Sequence, residues 1–268
     1  MPPATFIGGY PELKSFALAL LLVQARLMPL FVLLPFMNRS MVPRTVAMAF
    51  AAGVGLLVVP LLWTAGKVPT DASFLLLLVK EAVIGLVLGF LVALPFWMFE
   101  IVGFVVDNQR GASMASMMNP ATGNDTSPLG ILLNLAFIAF FMSTGGMTLL
   151  LSLIYDSYRL WDPIAFWPGF QPGSGELLVG QLNRLMLNAL LLAAPMLVAM
   201  WLAEIGLAIV SRFAPQLQVF FLAMPIKSAL GVLVLILYAA TMFDYGAGQI
   251  RETGTWVQAL DPLFRSGR

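Results

Sequence analysis

The sequence predicts an all-α, multi-span membrane protein with about six apolar helical segments, and three observations support this prediction. Of its 268 residues, 60% are hydrophobic and only 10% are charged, whereas soluble domains carry about 25% charged residues. Apolar stretches recur at or above the ~20 residues that cross about 30 Å of hydrocarbon as a helix. Polar segments rich in Gly and Pro separate them. Because a helix satisfies its own backbone hydrogen bonds inside a bilayer, each stretch is predicted to be helical.

The six predicted segments differ in length. They lie near residues 13–36, 45–64, 73–106, 129–155, 177–211 and 217–243. The third and fifth are longer than one span requires, and each carries a central proline, Pro95 or Pro195. Since proline kinks or breaks a helix, each is either a Pro-kinked helix that projects beyond the membrane or a tight helical hairpin. Residues 1–268 are assigned to one helical domain with a C-terminal tail at about 245–268.

Glycines and tryptophans mark three further features. The pattern Gly85-x-x-x-Gly89 permits close helix approach, although it also arises by chance in apolar helices. Gly145-Gly146 predicts a flexible point or a close contact within the fourth segment. Trp161 and Trp167 indicate an interfacial loop between the fourth and fifth segments.

The residue types that are missing exclude several kinds of chemistry. The chain contains no Cys and no His, which excludes disulfides, thiolate catalysis, Cys/His zinc sites and His-based triads. It also lacks a glycine-rich phosphate loop and any Lys/Arg run typical of nucleic-acid binding. The sequence therefore predicts no catalytic residue, no metal site, no cofactor and no nucleic-acid partner.

The stretch from 111 to 130 is the most polar long connection in the chain and carries three methionines. A segment so rich in Gly, Ser, Asn and Pro cannot form a lipid-facing helix, so it lies in water, in a protein-lined cavity or in a pore. Methionine side chains are flexible and fill irregular gaps. The stretch is interpreted as a deformable plug, and the alternative is an ordinary water-exposed connection.

Several charged residues fall inside or at the edges of the apolar segments: Arg26, Lys80, Glu81, Glu100, Arg110, Arg184, Glu204 and Lys227. A charge near the bilayer centre costs at least ~2.5–3.5 kcal/mol, so these side chains face protein or water. We expect structural or intersubunit pairing; a polar conduit or proton relay and snorkelling near helix ends are the alternatives. The neighbours Lys80 and Glu81 point in different directions on a helix, so a good mutual pair is not expected.

Two regions of the chain carry a family resemblance. The first comprises Asp107-Asn-Gln-Arg-Gly111, the run from Asn119 to Gly130, Ser143-Thr-Gly-Gly146 and Tyr155-Asp-Ser-Tyr-Arg-Leu-Trp161; the second runs from Ser211 to Lys227. Together they resemble the SctT family of type III secretion systems, the YscT, HrcT and SpaR proteins of injectisomes. A more distant similarity links them to the flagellar export protein FliR.

The resemblance implies a function without catalysis. One copy of an SctT-like protein joins several SctR-like and SctS-like subunits in a helical export gate, with an SctU-like switch protein as a further partner. The gate conducts unfolded secreted proteins across the bacterial inner membrane. The resemblance also implies that much of the assembly is raised toward the periplasm, so that some segments contact subunits instead of membrane lipid.

The resemblance also implies roles for particular residues. The loop after the third segment projects into the channel as a plug, and its pore-facing residues are Met114, Met117, Met118, Asn119 and Pro120. The second region is either a hairpin turn that lines the assembly or a short turn between two spans. The alternative functions are a flagellar export protein of the same family and a stand-alone small-molecule transporter.

Overall fold

The protein is described by a computed structural model for residues 9–37, 42–63, 69, 73–111, 127–165, 174–214 and 219–264. These ranges contain seven α-helices and one short 3₁₀ helix, and no strand. They are α1 (Gly9–Leu33), the 3₁₀ helix (Pro35–Met37), α2 (Arg44–Trp63), α3 (Ser73–Arg110), α4 (Pro128–Ser143), α5 (Gly146–Leu160), α6 (Ser174–Phe213) and α7 (Val219–Phe264). The prediction of an all-α membrane protein is confirmed.

Within the described residues, four helices are long and apolar enough to cross a membrane: Leu13–Leu33, Ser73–Arg110, Leu178–Phe213 and Leu222–Glu252. A fifth span results if α4 and α5, which are separated by a sharp bend, are counted together. The apolar part of α2, Arg44–Pro60, is shorter. Each of the six predicted segments thus corresponds to one helix or to one broken pair.

The two long segments are continuous helices, so the hairpin alternative is wrong. α3 has 38 residues with Pro95 inside it, and α6 has 40 residues with Pro195 inside it. At 1.5 Å per residue each extends for ~57–60 Å, well beyond the hydrocarbon thickness. Proline removes one backbone hydrogen bond, a loss that the remaining bonds of a long apolar helix outweigh. α7 is longer still, and most of the predicted tail from 245 is its continuation to Phe264.

The fourth segment breaks where the two glycines stand. Thr144 caps α4, with its N–H donating to the Phe140 carbonyl at 3.0 Å. Gly145 has a φ of +82°, a left-handed conformation that L side chains rarely adopt. Gly146 lies against the Phe141 ring, where a Cβ atom would clash. The structure therefore confirms the close contact at Gly146, and the flexible point stays a prediction.

The chain divides into two compact units. The first unit comprises Met1–Ala93, Met147–Gly175 and Glu252–Arg268. In it, α1 crosses α3 at the Gly85-x-x-x-Gly89 pattern: a Cβ on Gly85 would clash with the Arg26 carbonyl, and one on Gly89 would lie 2.9 Å from Leu30 Cα. The pattern thus marks a real close approach of two helices.

The second unit comprises Leu94–Gly146 and Glu176–Arg251, and aromatic rings from α3, α4 and α7 form part of its core. Phe99 and Phe137 stack with their ring centroids 4.1 Å apart, and Phe243 stacks on Phe99 at 5.3 Å. Phe96 meets Phe141 edge to face at 5.2 Å. Such ring pairs add about 0.5–1.5 kcal/mol each beyond the apolar area they bury. The assignment of residues 1–268 to one functional domain stays a prediction.

Candidate functional site

The start of α4 is defined by its own sequence. Ser127 is the N-cap residue, with an extended backbone, and its hydroxyl accepts the Gly130 N–H at 2.8 Å. Pro128 occupies the first helical turn, where its missing N–H costs nothing. The first turn contains no acidic side chain to complement the positive end of the helix dipole.

Asp107 of α3 supplies that missing carboxylate. Its Oδ2 accepts the Ser127 hydroxyl at 2.6 Å and the Leu129 N–H at 2.9 Å. Its Oδ1 lies 2.5 Å from Nη2 of Arg110, and only 3% of the residue is exposed. One buried carboxylate thus joins the end of α3 to the start of α4. We call Asp107, Arg110, Ser127 and Leu129 the loop-base cluster.

Two glycines allow α3 and α4 to meet beside this cluster. A Cβ on Gly103 would clash with the backbone of Gly130, and a Cβ on Gly130 would lie 2.9 Å from the Glu100 carbonyl. The two helices therefore pack backbone to backbone, which only small residues permit. The described residues on either side of the stretch 112–126 are thus held together by contacts between α3 and α4.

The loop-base cluster also touches α7, and beside it α3 contacts α6. Arg110 Nη1 donates to the Ser228 hydroxyl at 3.3 Å, and a Cβ on Gly111 would lie 3.6 Å from Met224 Cε. Glu204 of α6 accepts hydrogen bonds from Gln109 at 3.4 Å and from Lys227 at 3.2 Å. The two sequence regions that carry the family resemblance thus meet in space, although more than eighty residues separate Gly130 from Ser211.

The predicted plug residues follow directly after α3. Met114, Met117, Met118, Asn119 and Pro120 lie outside the described residues. Gly111, the last described residue before them, has a φ of +84° and ends α3 in the left-handed conformation that suits glycine. The base from which the stretch emerges is therefore described, and the plug role stays a prediction.

A second group of charges is completely buried in the first unit. Arg26 Nε lies 2.6 Å from Glu81 Oε2, and both side chains are 0% exposed. The remaining guanidinium nitrogens donate to the Ser157 carbonyl at 2.8 Å, the Ser157 hydroxyl at 3.1 Å and the Trp161 carbonyl at 3.0 Å. The guanidinium also lies 4.1 Å from the centre of the Tyr158 ring, a cation–π contact.

Lys80 completes this group, which we call the Arg26 cluster: Arg26, Lys80 and Glu81. Its Nζ donates to the carbonyls of Asp162, Pro163 and Ala165 at 3.1, 2.9 and 2.8 Å. An ammonium group has three protons, so these carbonyls use all of them. Backbone carbonyls thus stabilise the two buried cations, and the cations in turn stabilise the Glu81 carboxylate. These carbonyls carry no signal in the sequence.

The expectation that Lys80 and Glu81 would not pair is wrong. Lys80 Nζ lies 2.9 Å from Glu81 Oε1. Adjacent side chains do leave a helix in different directions, but the long flexible lysine stem lets the ammonium group bend back toward its neighbour. The contact is ionic without a well-aligned hydrogen bond, since Oε1 receives none.

Glu100 has a different environment, in the second unit. Its Oε2 accepts a hydrogen bond from Asn134 Nδ2 at 2.9 Å. The side chain borders a groove of about 570 Å³ whose other lining residues include Trp97, Ile101, Phe104, Ile131 and Leu185. An exposed carboxylate thus lies in a mainly apolar groove.

The charged residues that were expected to pair therefore fall into two groups, one in each unit. Arg26, Lys80 and Glu81 meet in the first unit; the others lie in the second, where Arg110 joins the loop-base cluster and Lys227 pairs with Glu204. Arg184 is exposed on α6. Six of the eight thus form an ion pair within the described part of the chain.

Sequence reasoning missed Asp107 and Ser127 as site residues. Both belong to the motifs that carry the resemblance, and an N-cap signal, Ser-Pro before an apolar run, could have identified Ser127. Trp161 lies in the connection after α5, is 6% exposed, and its carbonyl accepts a hydrogen bond from Arg26. Trp167 lies outside the described residues, so the interfacial loop stays a prediction. Within the described ranges, no three His, Cys, Asp or Glu side chains are placed to hold a metal ion.

Together, the long apolar helices and their internally paired charges define an integral membrane protein of the multi-span α-helical class. Residues 17–253 match the family of bacterial export proteins, family 1, and the chain belongs to this family. It is thus a protein of the type III secretion and flagellar export class.

The relatives come from both branches of this class. The chain is 40% identical to Yop proteins translocation protein T of Yersinia pestis, over 84% of this chain and 87% of that protein. It is 34% identical to surface presentation of antigens protein SpaR of Shigella sonnei, over 87% and 90%. It is 28% identical to flagellar biosynthetic protein FliR of Bacillus subtilis, over 84% and 87%. The resemblance to the SctT family, with FliR related, is confirmed.

Proposed function

We propose that this protein is a subunit of the inner-membrane export gate of an injectisome. In this role it forms part of the conduit for unfolded secreted proteins, and its stretch 111–130 seals the closed pore as a plug. The observation that carries the plug proposal is the loop-base cluster. A buried carboxylate, a helix cap and a backbone contact between two glycines hold both ends of one methionine-rich stretch.

The chemistry of the stretch suits a seal that must open for many sequences. A closed gate has to exclude water and ions, so its constriction must be filled by apolar groups. Weak, non-directional methionine contacts fill such a space without selecting one substrate. The stretch 112–126 also contains Gly123, whose backbone adopts many conformations. A displaceable plug requires two anchored ends, and the loop-base cluster provides contacts on both sides of this stretch.

The relatives favour the injectisome branch. Identity is 40% and 34% to the proteins named for Yop translocation and for surface presentation of antigens, against 28% to a flagellar FliR protein. By analogy with this branch, we propose assembly of one copy with SctR-like and SctS-like subunits and contact with an SctU-like protein, without enzymatic activity.

The Arg26 cluster weighs against a stand-alone small-molecule transporter. A transporter of that kind would use intramembrane charges to bind its substrate. Arg26 and Lys80 instead use their donors on Glu81 and on backbone carbonyls. These charges are therefore assigned a structural role.

Ion leak through the assembled gate tests the plug. Replacing Met114, Met117 and Met118 with alanine should raise the ion conductance of membranes that contain the closed gate several-fold, because the apolar filling is lost. The matched control replaces three exposed helical methionines, Met48, Met142 and Met186, with alanine and should leave the leak unchanged.

Assembly is measured on the same material. Native mass spectrometry of the tagged chain, co-expressed with the neighbouring membrane proteins, should show one copy within a larger complex. A lone chain or a homo-oligomer would overturn the gate proposal. A complete complex with an unchanged leak in the methionine variant would overturn only the plug role.

A further inference from the structure

One face of α3 combines large apolar residues with a single carboxylate. Trp97, Glu100, Ile101 and Phe104 follow the i, i+3, i+4, i+7 spacing that places side chains in one stripe along a helix. Ile131 of α4 and Leu185 of α6 form the other walls of the groove. Phe104 and Ile131 are 45% and 48% exposed, so the groove is open to whatever lies beside it.

Glu100 forms no ion pair with another described residue. Its carboxylate accepts a hydrogen bond from the Asn134 amide. A carboxylate on an apolar stripe of a membrane protein is costly next to lipid and is normally paired with a cation or placed in water. The buried charges of the first unit are paired in this way, whereas Glu100 is not.

The neighbouring stretch of the same chain cannot supply the missing charge. Residues 112–126 lead into Ser127, which also borders the groove, but they contain no Lys and no Arg. They contain one acidic residue, Asp125, which would repel Glu100. A segment of another molecule that brings apolar side chains to the walls and a cation to the carboxylate would complement this groove.

We propose that this groove docks an apolar transmembrane helix of a second membrane subunit, and that this helix places a Lys or Arg side chain against Glu100. The inference rests on the proposed function, because it assumes a multi-subunit assembly, and it adds the chemistry of one interface. Apolar packing provides contact area there, and the ion pair sets the register of the docked helix.

Site-specific photo-crosslinking in the co-expressed complex tests the groove. A photoreactive phenylalanine analogue at Ile131 should cross-link to a membrane subunit other than this chain, at a helix that contains Lys or Arg. Glu100→Gln should lower this cross-link about tenfold, because the charge contact is lost. Glu100→Gln retains an acceptor for Asn134, so the fold of the chain is preserved.

The matched control carries the same analogue at Ile209 of α6, a residue of similar exposure at 55%. Cross-links from Ile209 should not depend on Glu100. In the reciprocal test, Glu100→Lys abolishes the Ile131 cross-link, and exchanging the partner's Lys or Arg for Glu restores it. If Glu100→Lys does not accumulate, Ile101→Trp fills the groove and should lower the Ile131 cross-link with the carboxylate intact.

Several results would overturn the proposal. The first is a cross-link yield that does not change when the charge of Glu100 is removed. The second is a cross-link to the wrong target, namely lipid, residues 112–126, a second copy of this chain or a helix without Lys or Arg. Native mass spectrometry of the wild-type complex separates this failure from that of the proposed function. If the complex assembles and secretes normally with Glu100→Lys, only the groove proposal is overturned. If the wild-type chain joins no complex, the proposed function is overturned as well.

Discussion

Every charged side chain of the Arg26 cluster is buried: Arg26 and Glu81 are 0% exposed and Lys80 is 4% exposed. In the second unit the charges beside the 112–126 stretch are graded instead. Asp107 is buried, but the Arg110 side chain is 20% exposed and the Glu204 side chain is 53% exposed. The same residue types are thus shielded from solvent in the first unit, whereas in the second unit their exposure rises from Asp107 to Glu204.

This difference in exposure determines what each group of charged residues contributes to the protein. In a dry environment a charge cannot exchange its partner for water, so the contacts of Arg26 hold α1, α3 and α5 in one arrangement. Where water is available, a pair that opens loses little free energy. The first unit is therefore suited to permanent scaffolding, and the second has contacts that can be released at low cost.

The largest effect is expected from Glu81→Gln. The substitution keeps the shape of the side chain but leaves Arg26 and Lys80 as two buried cations without a counter-charge. We expect the free energy of unfolding to fall by about 3–5 kcal/mol. Thermal unfolding in mild detergent, or the steady-state amount of the chain in membranes, measures this loss.

The control for Glu81 is Glu176→Gln, an exposed glutamate in the first turn of α6, for which a change below about 1 kcal/mol is expected. The double variant Arg26→Met with Glu81→Met removes both charges and should be more stable than Glu81→Gln alone. If Glu81→Gln were as stable as the wild type, the Arg26 cluster would not hold the first unit together.

Part of this comparison could be predicted from the sequence. The apolar segments and the break at Gly145 follow from composition and from glycine chemistry, both of which are local. The sequence did not distinguish a hairpin from a continuous helix at Pro95, because proline is compatible with both. It also could not show that Lys80 reaches three backbone carbonyls, since every residue has a carbonyl and only the fold brings these three together.

The loop-base cluster shows the same limit of local reasoning. Asp107 and Ser127 are separated by 20 residues, and their hydrogen bond depends on the contact of Gly103 with Gly130. The motifs containing Asp107 and Ser127 were recognisable as family signatures, but their physical task becomes visible only when α3 and α4 cross. Six of the eight charged residues of the apolar segments do form ion pairs within the chain, and the cost of an isolated charge, which does not depend on the fold, made such pairing predictable.

An intermediate effect is expected from Asp107→Asn. The amide introduces a donor where Ser127 and Leu129 already donate, and it removes the counter-charge of Arg110. The start of α4 should open more easily by about 1–3 kcal/mol, which hydrogen exchange of the amides of 129–131 would report as faster exchange. The matched control is Asp156→Asn, because the exposed Asp156 carboxylate lies 3.8 Å from Arg159. This control should leave the exchange of the amides of 129–131 unchanged. Equal exchange in the two variants would contradict the role of Asp107.

The smallest effect is expected from the pair of Glu204 and Lys227, which lie 3.2 Å apart with the glutamate side chain half exposed. A double-mutant cycle with Glu204→Gln and Lys227→Met should give a coupling free energy of about 0.2–1 kcal/mol in the isolated chain. Because water and salt reach this pair, the coupling should shrink at high ionic strength, whereas the effect of Glu81→Gln should persist. A coupling above about 2 kcal/mol that resists salt would mean that the pair is as dry as the Arg26 cluster. The distinction between a fixed first unit and releasable contacts in the second would then fail at this position.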